Sequence, residues 1–396
     1  MADILLISTA DWDHPIWTNK QHVACALAEL GHRVLYVESL GLRAVRVDGS
    51  DYRRVLKRLG KGLCPPRQVR PGLWCWSPLV LPGARGPLAL RISRLAFQLG
   101  LRLATWMLGW SPAWIWTYNP KTLAYYKPAG GKLLVYHCVD DIQTQPGMNS
   151  VDISSWESQL CQRSDIVFTT SPALQESRQP FNRRTFYFPN VADHVHFARA
   201  LSDTLQLPQD LASIPGPRIG FIGAISQYKL DFQLLATMVA RTPHYSWVMV
   251  GPVGEGEGST DLSLFRGLRN VHFLGTRPYE QLPALLKGFD VAILPLQKNA
   301  YTHSMFPMKF FEYLGAGMPV VASDIDSLLP YADVATLVAP QPDPFLEAID
   351  NALRKCSDVE ERRRRSSFAA QFNYQSRTKA MLECIEDFQS SAPRQD

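Results

Sequence analysis

The feature that most constrains the fold is an alternation of short apolar runs with helix-like segments, which breaks once and then restarts. The first run is "DILLIST" (3–9), a helix-like segment follows over about 17–30, Gly31 ends it, and "HRVLYVES" begins a second run. A strand, a helix and a second strand in this order are typical of a parallel βαβ unit. The first half is therefore predicted to be a doubly wound parallel α/β domain. Its later strand-like runs are "WIWTY" (114–118), "LLVYHCV" (133–139) and "IVFTTS" (166–171).

Residues 186–217 break this alternation near the middle of the chain. They read "FYFPNVADHVHFARALSDTLQLPQDLASIPGP", contain several prolines and have no long strand-like run after the first few residues. Proline-rich segments of this kind are typical of domain junctions. The alternation then restarts, which predicts a second Rossmann-like domain. Its strand-like runs are "RIGFIGA" (218–224), "WVMVGP" (247–252), "VHFLG" (271–275), "DVAILPL" (290–296), "VVAS" (320–323) and "ATLVAP" (335–340).

The chain length agrees with two such domains, because 396 residues exceed what a single hydrophobic core usually supports. We predict an N-terminal domain over residues 1–190 and a C-terminal domain over 191–375, followed by a helix and a tail over 376–396. The fold class is α/β, with two doubly wound Rossmann-like domains that face an interdomain cleft. Ligands of open parallel sheets bind beyond the carboxyl ends of the strands, so this cleft is the predicted site.

The charge pattern gives no indication of nucleic-acid binding. The formal net charge is +5, and the basic run Arg362–Arg365 follows two glutamates, as on a solvated helix face. The sequence contains no zinc-ligand spacing, no helix-turn-helix signature and no RNA-binding sheet signature. No nucleic-acid partner is therefore expected.

The cysteines and the N-terminus favour a cytoplasmic protein. The seven cysteines are scattered, odd in number and without a C-x-x-C pair, which is typical of reduced thiols. The start "MADILLISTADWD" is unlike a signal peptide, and no uncharged run approaches the ~20 residues of a membrane span. A cytoplasmic location is expected, with peripheral contact to the inner face of the cytoplasmic membrane as a further hypothesis.

The stretch "SMFPMKFFEYLGAGMPVVAS" (304–323) carries the most distinctive chemistry of the second domain. Pro307 suits the first turn of a helix, which the glycines and Pro319 end before a buried strand. The N-terminus of such a helix attracts phosphate, Lys309 adds a positive charge, and Glu312 on the same face suits a vicinal diol such as a ribose. A nucleoside diphosphate satisfies both side chains. The alternative is a weak surface ion pair between them, worth only ~0.3 kcal/mol.

A second strand end adds to the nucleotide hypothesis. "GFIGAISQYKLDF" (220–232) places Gly220 and Gly223 at a strand end, where the backbone is expected to approach a ligand closely. Lys229 stands just before the next helix, where it is a candidate to bind phosphate.

Two further loops follow strands of the second domain. "GPVGEGEGS" (251–259), which starts with Gly251, lacks a following G-K-[ST], and this argues against a nucleotide triphosphatase. In "GTRPYEQLP" (275–283) the backbone groups of Thr276 and Arg277 are candidates to meet a base edge.

The order of these motifs resembles the nucleotide-sugar-binding half of GT-B fold glycosyltransferases, especially the bacterial group 1 or family 4 type that builds cell-surface polysaccharides. The resemblance covers about residues 186–390 closely and the N-terminal half more loosely. It implies an acceptor-binding N-terminal domain, a nucleotide-sugar-binding C-terminal domain and a last helix that crosses back to the first domain. The matching stretches are "YFPNVADHVHF", "IGFIGAISQYKLDFQLL", "VMVGP", "NVHFLGTRPYEQLPALLKGFDVAILPL", "PMKFFEYLGAGMPVVASD" and "FNYQSRTKAMLECI".

The resemblance also implies roles for single residues. Glu312 would bind the ribose hydroxyls, and Lys309 and Lys229 would bind the diphosphate. Many retaining members carry a pair of glutamates of which the first position is Ser304 in this sequence, so the sugar and the stereochemical outcome stay open. The candidates to hold the donor sugar are then Thr302, His303 and Ser304.

Candidate bases are expected at a strand end of the first domain, because sugar transfer with inversion needs a general base. "VYHCVDDI" (135–142) places His137, Asp140 and Asp141 there. We favour Asp141 as the base and His137 next, because a residue past the strand end is freer to enter the cleft. The alternatives are a helix cap for either aspartate and a hydrogen-bonded core position for His137.

The first loop, "TADWDHPIWTNKQHV" (9–23), lacks the G-x-G-x-x-G of a dinucleotide site, so a nicotinamide enzyme is not expected. In the resembling enzymes this loop lies beside the acceptor. The secondary, acceptor-binding candidates are therefore Asp11, Asp13, His14 and Lys20.

A basic amphipathic helix is predicted at "LALRISRLAFQLGLRLATWMLGW" (88–110). Leu, Ile, Phe, Trp and Met form a broad apolar face. Such a helix can lie in an anionic membrane surface, close to a lipid-linked acceptor. It can equally cover the sheet of a doubly wound domain, and both interpretations stay open. The polar face comprises Arg91, Arg94, Gln98, Arg102 and Thr105.

The predicted function is transfer of a sugar from a nucleotide-diphosphate-sugar donor to a glycan or lipid-linked acceptor, in cell-surface polysaccharide synthesis. No cofactor and no metal is expected, because lysines and a helix dipole would neutralise the leaving diphosphate. The alternatives are a nucleotide-sugar epimerase on the same scaffold and a non-catalytic glycan-binding or assembly subunit. The nucleotide base, the acceptor and the oligomeric state stay open.

Overall fold

The computed structural model describes residues 1–14, 17–40, 60–62, 64–80, 86–128, 131–148, 150–254 and 260–391. These residues form two compact units. The first contains the described residues up to Gln143, then Met148–Phe188, and the chain from Thr378 onward. The second contains Thr144–Gly147 and Pro189–Arg377, and this long segment begins within the predicted junction.

The first unit is built on a mostly parallel sheet. Its strands are β1 (Asp3–Ile7), β2 (Arg33–Val37), β3 (Arg67–Arg70), β4 (Leu73–Trp76), β5 (Trp114–Thr117), β6 (Leu133–Cys138), β7 (Ile166–Thr169) and β8 (Thr185–Tyr187). They lie in the order β3-β4-β2-β1-β5-β6-β7-β8. Every described pair is parallel except β3 with β4. The sequence did not predict this edge pair, because β3 is short, polar and largely exposed.

Helices cover this sheet. They are α1 (Asn19–Glu29), α2 (Pro87–Leu108), α3 (Thr122–Tyr125), α4 (Ser150–Arg163) and α5 (Pro172–Arg178). The start of α1 follows from a local interaction, in which the Gln21 side chain accepts a 3.1 Å hydrogen bond from the Thr18 N–H. One face of α2 is buried through Ser93, Phe97, Leu101 and Ala104.

The second unit repeats the architecture with parallel strands throughout. Its strands are β9 (Arg218–Ile222), β10 (Ser246–Val250), β11 (Val271–Gly275), β12 (Val291–Leu294), β13 (Val320–Ser323) and β14 (Thr336–Val338), in the order β11-β10-β9-β12-β13-β14. Its helices are α6 (His194–Phe197), α7 (Gln209–Ala212), α8 (Phe232–Arg241), α9 (Leu282–Lys287), α10 (Ala300–His303), α11 (Lys309–Gly315), α12 (Pro342–Leu353) and α13 (Val359–Ala370). The last helix, α14 (Tyr374–Ser391), starts in the second unit and continues into the first.

The apolar runs of the sequence become the buried strands. All residues of β10, β12 and β13 are buried, as expected for parallel strands covered on both faces. The predicted fold class, α/β with two doubly wound Rossmann-like sheets, is therefore confirmed. All seven cysteines lie in described positions and are free thiols.

The basic run Arg362–Arg365 lies on α13 and is only partly a solvated face. Arg363 and Arg364 are exposed, but Arg365 is buried and its Nε donates a 3.0 Å hydrogen bond to the Gly317 carbonyl. The neighbouring Ser366 hydroxyl donates to the Gly315 carbonyl at 2.8 Å. These bonds satisfy carbonyls at the C-terminal end of α11 and hold α13 against it.

Candidate active site

The second sheet opens between its two central strands. The pairing of β12 with β9 extends only from Val291–Ile219 to Ala292–Gly220. Beyond it, the Tyr313 hydroxyl of α11 accepts a 2.8 Å hydrogen bond from the Ile222 N–H and donates a 3.0 Å bond to the Ile222 carbonyl. The chain runs from β9 outward to β10 and β11, and then returns to β12 on the other side. The opening is therefore the topological switch point, where open α/β sheets bind ligands.

Two glycines line the carboxyl edge of this sheet. Gly223 follows β9 and Gly251 follows β10, with φ of +156° and +141°. A Cβ atom on Gly251 would lie 1.9 Å from the Gly223 carbonyl oxygen, so only glycine fits this approach of two backbones. The Gly251 N–H donates to the Gly275 carbonyl at 2.9 Å, which joins the end of β10 to β11. The part of the predicted loop over 255–259 lies outside the described residues.

Gly220 has a different role from the predicted one. It lies inside β9, and a Cβ atom there would stand 2.0 Å from the ring of Phe289. Gly220 is needed for packing of this aromatic ring on the sheet, so the expectation that its backbone approaches a ligand is wrong.

Lys309 and Glu312 form an ion pair one turn apart at the start of α11. The Lys309 Nζ donates to Glu312 Oε2 at 2.6 Å, and the side chains are 17% and 5% exposed. The carboxylate is therefore buried and the lysine half-buried, unlike the weak surface pair weighed from the sequence. Burial raises the pKa of Glu312, and the Lys309 ammonium opposes this rise. Tyr313, which bonds to Ile222, lies on the same helix, so this pair belongs to the helix that closes the switch point.

The helix itself is shorter than predicted. It comprises seven residues, begins at Lys309 with Met308 as its N-cap, and so starts after Pro307 rather than at it. The partial charge of so short a helix is small beside the full charge of a lysine. The lysines are thus the main cationic groups available to a phosphate here.

Lys229 lies where the loops after β9 and β12 meet. Its Nζ stands 5.1 Å from the ring centre of Tyr228 and 5.7 Å from that of Tyr301. The Asn299 side chain donates to the Tyr228 carbonyl at 2.9 Å. The structure therefore places Lys229, the phosphate-binding candidate, beside the segment "YTHS" (301–304), which contains the sugar-binding candidates.

Within "YTHS" the three sugar-binding candidates differ. Thr302 is fully buried and forms a capping box with Asn299, with both N–H to oxygen distances 3.0 Å. Its hydroxyl therefore fixes α10, and the expectation that it holds a sugar is wrong. His303 is exposed, with Nδ1 2.7 Å from Asp326 Oδ2. Ser304 is buried at the C-terminal end of α10.

Past β11, Thr276 is exposed and Arg277 is half-buried. The Arg277 guanidinium donates to the Leu274 carbonyl at 3.2 Å and forms an ion pair with Asp210. Its side chain is therefore engaged within this unit, which leaves the backbone as the predicted means of contact with a base.

The sequence did not single out a group of residues near Glu312. Asp193 caps α6 by accepting a 3.1 Å bond from the His196 N–H, and the His196 ring stacks on Tyr279 with centroids 4.2 Å apart. Burial raises the pKa of Tyr279, and the charges of Glu312 and Asp193 raise it further. Asp193 and His196 lie in "NVADHVHF", which the sequence had marked as part of the junction and of the family resemblance without a role for either residue.

The two base candidates of the first unit do not fit that role. Asp141 is buried, and its Oδ1 lies 3.0 Å from Arg178 Nη2, which also contacts Glu157 Oε2 at 2.8 Å. His137 is 0% exposed in β6 and stacks on Tyr118 with centroids 4.8 Å apart. The expectation that Asp141 projects freely past the strand end is wrong, because a buried guanidinium holds it in place.

Of the acceptor-binding candidates in the first loop, Asp13 forms ion pairs. Asp13 accepts from Lys61 Nζ at 3.0 Å and from Arg67. Burial alone would raise the pKa of Asp13, but the hydrogen bonds from Arg67 and Lys61 outweigh it and the pKa is lowered. The other candidates lie near the same strand ends: the Asp11 carbonyl accepts from His14 N–H at 3.3 Å, and Lys20 is buried in the first turn of α1.

Glu38, which follows β2, is a member of this group that the sequence did not nominate. It is buried and accepts a 2.9 Å bond from the Trp12 N–H, while Lys61 Nζ lies 3.5 Å from its Oε1. The Ser77 hydroxyl also donates to it. Its position directly after the apolar run "VLYV" was the available signal, because acidic residues at strand ends face the ligand edge of a parallel sheet.

Neither a metal-ligand cluster nor a membrane-spanning helix is present among the described residues. No three His, Cys, Asp or Glu side chains come together there as a group that could hold a metal ion. Among the same residues, no helix has both the length and the apolar composition needed to cross a membrane.

Two doubly wound sheets, with glycines, lysines and a buried carboxylate at the switch point of the second, define the GT-B class of fold. Residues 216–355 match the family model of Glycosyl transferases group 1. The chain is 29% identical over 178 residues to TuaH of Bacillus subtilis (strain 168), a protein named for a glycosyltransferase role in teichuronic acid biosynthesis. That alignment covers 44% of each chain, so the match spans less than half the length of this relative.

Solved structures resemble the whole chain. Sucrose-phosphate synthase from Thermosynechococcus elongatus has a TM-score of 0.67 at 18% identity, covering 99% of this chain and 100% of that one. Anabaena HepE in complex with UDP and glucose has a TM-score of 0.66 at 16% identity, covering 98% and 100%. An E. coli trehalose-6-phosphate protein bound with UDP-2-fluoro glucose has a TM-score of 0.67 at 13% identity, covering 99% and 100%.

Residues 216–355 therefore resemble the group 1 glycosyl transferases, as the sequence predicted, within a chain that has the GT-B fold.

Proposed function

We propose that this protein transfers a sugar from a nucleotide-diphosphate-sugar donor to a glycan or lipid-linked acceptor. The observation that carries the proposal is the ion pair of half-buried Lys309 with buried Glu312, on the helix that closes the switch point of the second sheet. Burial of a carboxylate costs desolvation free energy, which hydrogen bonds or charges that contact its oxygens offset. A ribose diol offers two hydroxyl donors to that carboxylate.

The donor is proposed to lie along the carboxyl edge of the second sheet. Lys309 and Lys229 bind the diphosphate, and Glu312 accepts hydrogen bonds from the ribose hydroxyls. Gly223 and Gly251 have no side chain, and protein atoms fill the space that a Cβ would take, so the donor is proposed to meet the backbone of these two turns. UDP-sugars are the first donors to test, since structures of the similar Anabaena protein contain UDP, glucose and UDP-glucose.

In the proposed reaction the bond between the anomeric carbon and the diphosphate oxygen breaks, and a bond from that carbon to an acceptor oxygen forms. The acceptor hydroxyl loses its proton, and the nucleoside diphosphate leaves with an additional negative charge. Ammonium groups already fixed near that oxygen stabilise the charge as it develops. Lys309 is suited to this because its pairing with Glu312 sets its position in advance.

The acceptor is proposed to be a growing cell-surface glycan or its lipid-linked precursor, met at the cytoplasmic face of the membrane. The match to a protein named for teichuronic acid biosynthesis supports this class of acceptor. In the first unit, the edge around Asp13, Glu38 and Lys61 offers carboxylates and an ammonium group to sugar hydroxyls.

Thermal shift with UDP, GDP, dTDP and CMP tests the donor site, because a ligand that binds the folded state raises its Tm. We expect one nucleoside diphosphate to raise the Tm, and Lys309→Gln and Glu312→Gln to weaken its affinity at least tenfold. Each shift is measured from the variant's own ligand-free Tm. The exposed positions Lys355 and Glu347 supply matched controls, Lys355→Gln and Glu347→Gln, which should bind as the wild type does.

Failure of all four nucleotides to raise the Tm contradicts the donor site. Incubating the bound donor without acceptor separates transfer from epimerisation. A changed sugar in the intact donor would indicate an epimerase, whereas release of the nucleoside diphosphate that depends on added acceptor supports transfer.

A further inference from the structure

Helix α2 of the first unit has two apolar faces on opposite sides. The inner face is buried through Ser93, Phe97, Leu101 and Ala104. The outer face consists of large apolar side chains between 49% and 77% exposed. These are Leu88, Ile92, Leu95, Leu99, Leu103 and Trp106. The sequence left two roles open for this helix, covering the sheet and contacting a membrane surface. The inner face suits the first role and the outer face suits the second.

The outer residues form one continuous stripe. At 100° per residue they fall within about 80° of the helix circumference, and from Leu88 to Trp106 they extend about 27 Å. Single exposed apolar side chains are normal on a protein surface, but a continuous row of six is typical of an interaction surface. The stripe is long and narrow, which suits burial along a flat boundary better than insertion of a single anchor.

The charges beside the stripe have one sign. Arg91 and Arg102 are exposed along one flank of it, while Arg94 turns toward the protein and its Nε donates to the Ala124 carbonyl at 2.8 Å. The helix contains three arginines and no acidic residue. The same bias extends along the chain, because residues 52–139 contain fourteen lysines and arginines and no aspartate or glutamate.

We propose that the outer face of α2 docks in the plane of an anionic lipid membrane. The stripe would enter the boundary between headgroups and acyl chains, while Arg91 and Arg102 meet lipid phosphates. A second copy of the chain is a poorer occupant of this face, because two such helices would bring like-charged flanks together. The proposed docking does not depend on the proposed sugar transfer.

Vesicle flotation of the full chain tests the docking. Binding to vesicles of phosphatidylglycerol and phosphatidylcholine should exceed binding to phosphatidylcholine alone, and should weaken with added salt. Leu99→Ser with Leu103→Ser should lower the partition coefficient at least about tenfold, because each side chain loses its burial in the acyl boundary. Arg91→Gln with Arg102→Gln should lower it about thirtyfold at low salt.

Matched controls come from exposed residues of the second unit. Leu264→Ser with Leu329→Ser, and Arg269→Gln with Arg363→Gln, remove the same groups elsewhere and should leave vesicle binding unchanged. A second measurement follows the fluorescence of Trp106, obtained by subtracting the emission of Trp106→Phe from that of the wild type. This emission should move to shorter wavelength when anionic vesicles are added.

Three results would overturn the docking proposal. The first is equal binding to neutral and anionic vesicles, and the second is an equal loss of binding in the control variants. The third is a lipid-free dimer that Leu99→Ser with Leu103→Ser dissociates, which would assign the stripe to a second copy of the chain.

Discussion

At the scale of single residues, the most informative group is the carboxyl of Glu312. It is 5% exposed and accepts a 2.6 Å bond from Lys309. Burial raises its pKa above the ordinary 4.5, against the opposing effect of Lys309. A carboxyl with a raised folded pKa binds protons on folding. Its contribution to stability is therefore present below the unfolded pKa and is lost as the pH rises through the folded pKa.

Replacing Glu312 with glutamine removes this titration. As the pH rises from 4.5 through the raised pKa, the free energy of unfolding of Glu312→Gln should increase relative to that of the wild type. Above the raised pKa the difference should level off. Urea unfolding of both proteins across this range measures it, and a difference that stays constant with pH would contradict the raised pKa.

The Arg178 cluster gives a second prediction at this scale. Arg178→Met leaves two buried carboxylates, Asp141 and Glu157, without their counter-charge, and should destabilise the protein by about 3–5 kcal/mol. Asp141→Asn should cost about 1–3 kcal/mol and leave the transfer rate per folded molecule nearly unchanged. Tm and turnover measured together check this. An unchanged Tm with lost turnover would restore Asp141 as the base.

The sequence predicted residue positions that depend on local spacing and failed on those that depend on distant partners. Lys309 and Glu312 share a helix face because they are three residues apart. The partner of Asp141 lies 37 residues away, and no local pattern identifies it. The burial of His137 likewise follows from packing by Trp116, Tyr118 and Phe168.

At the scale of elements, the turns after β9 and β10 determine the shape of the proposed donor edge. The Gly251 backbone lies directly against the Gly223 carbonyl. The ends of the two strands are held at a separation that no side chain at position 251 would permit.

Gly251→Ala should therefore force the two turns apart. We expect a loss of about 3 kcal/mol or more in the free energy of unfolding, together with weaker nucleotide binding. Gly267→Ala is the matched control, since Gly267 also has a positive φ but nothing lies within 4 Å of a Cβ built there. It should cost only about 1 kcal/mol. Equal costs in chemical denaturation would show that φ alone matters.

Elements with continuous apolar runs were predictable, and elements at the sheet edge were not. β9, β10, β12 and β13 lie where the sequence placed them, because both faces of each strand are covered. The polar edge strand β3 lacks that signal. Helix α2 was predicted with one apolar face, since periodicity does not show that a second, outward row stays exposed.

At the scale of the whole molecule, each unit has its own hydrophobic core. One cluster of buried side chains includes Leu5, Leu35 and Tyr136 of the first unit, and another includes Trp247, Ile293 and Phe310 of the second. The repeated alternation in the sequence predicted this division, because each alternation supplies the strands of one sheet.

A fragment comprising residues 189–377 should therefore fold on its own. We expect a single cooperative thermal transition by circular dichroism, and a rise in Tm with the nucleoside diphosphate that the full chain binds. The fragment should not transfer sugar, because the proposed acceptor edge belongs to the first unit. A fragment that is unfolded at 25 °C would show that the second core needs the first unit.

The unbalanced charge between residues 52 and 139 affects how the protein would arrive at a negatively charged surface. The electric field of such a surface rotates a protein whose positive charge is concentrated in one part, and it does so before the protein makes contact. Within about 8 Å of a surface at physiological salt, this torque would turn the positively charged part of the first unit, which includes α2, toward the surface. Pre-orientation of this kind raises the fraction of collisions that lead to binding. Because salt screens the field, added salt should lower the association rate constant by a larger factor than it raises the dissociation rate constant.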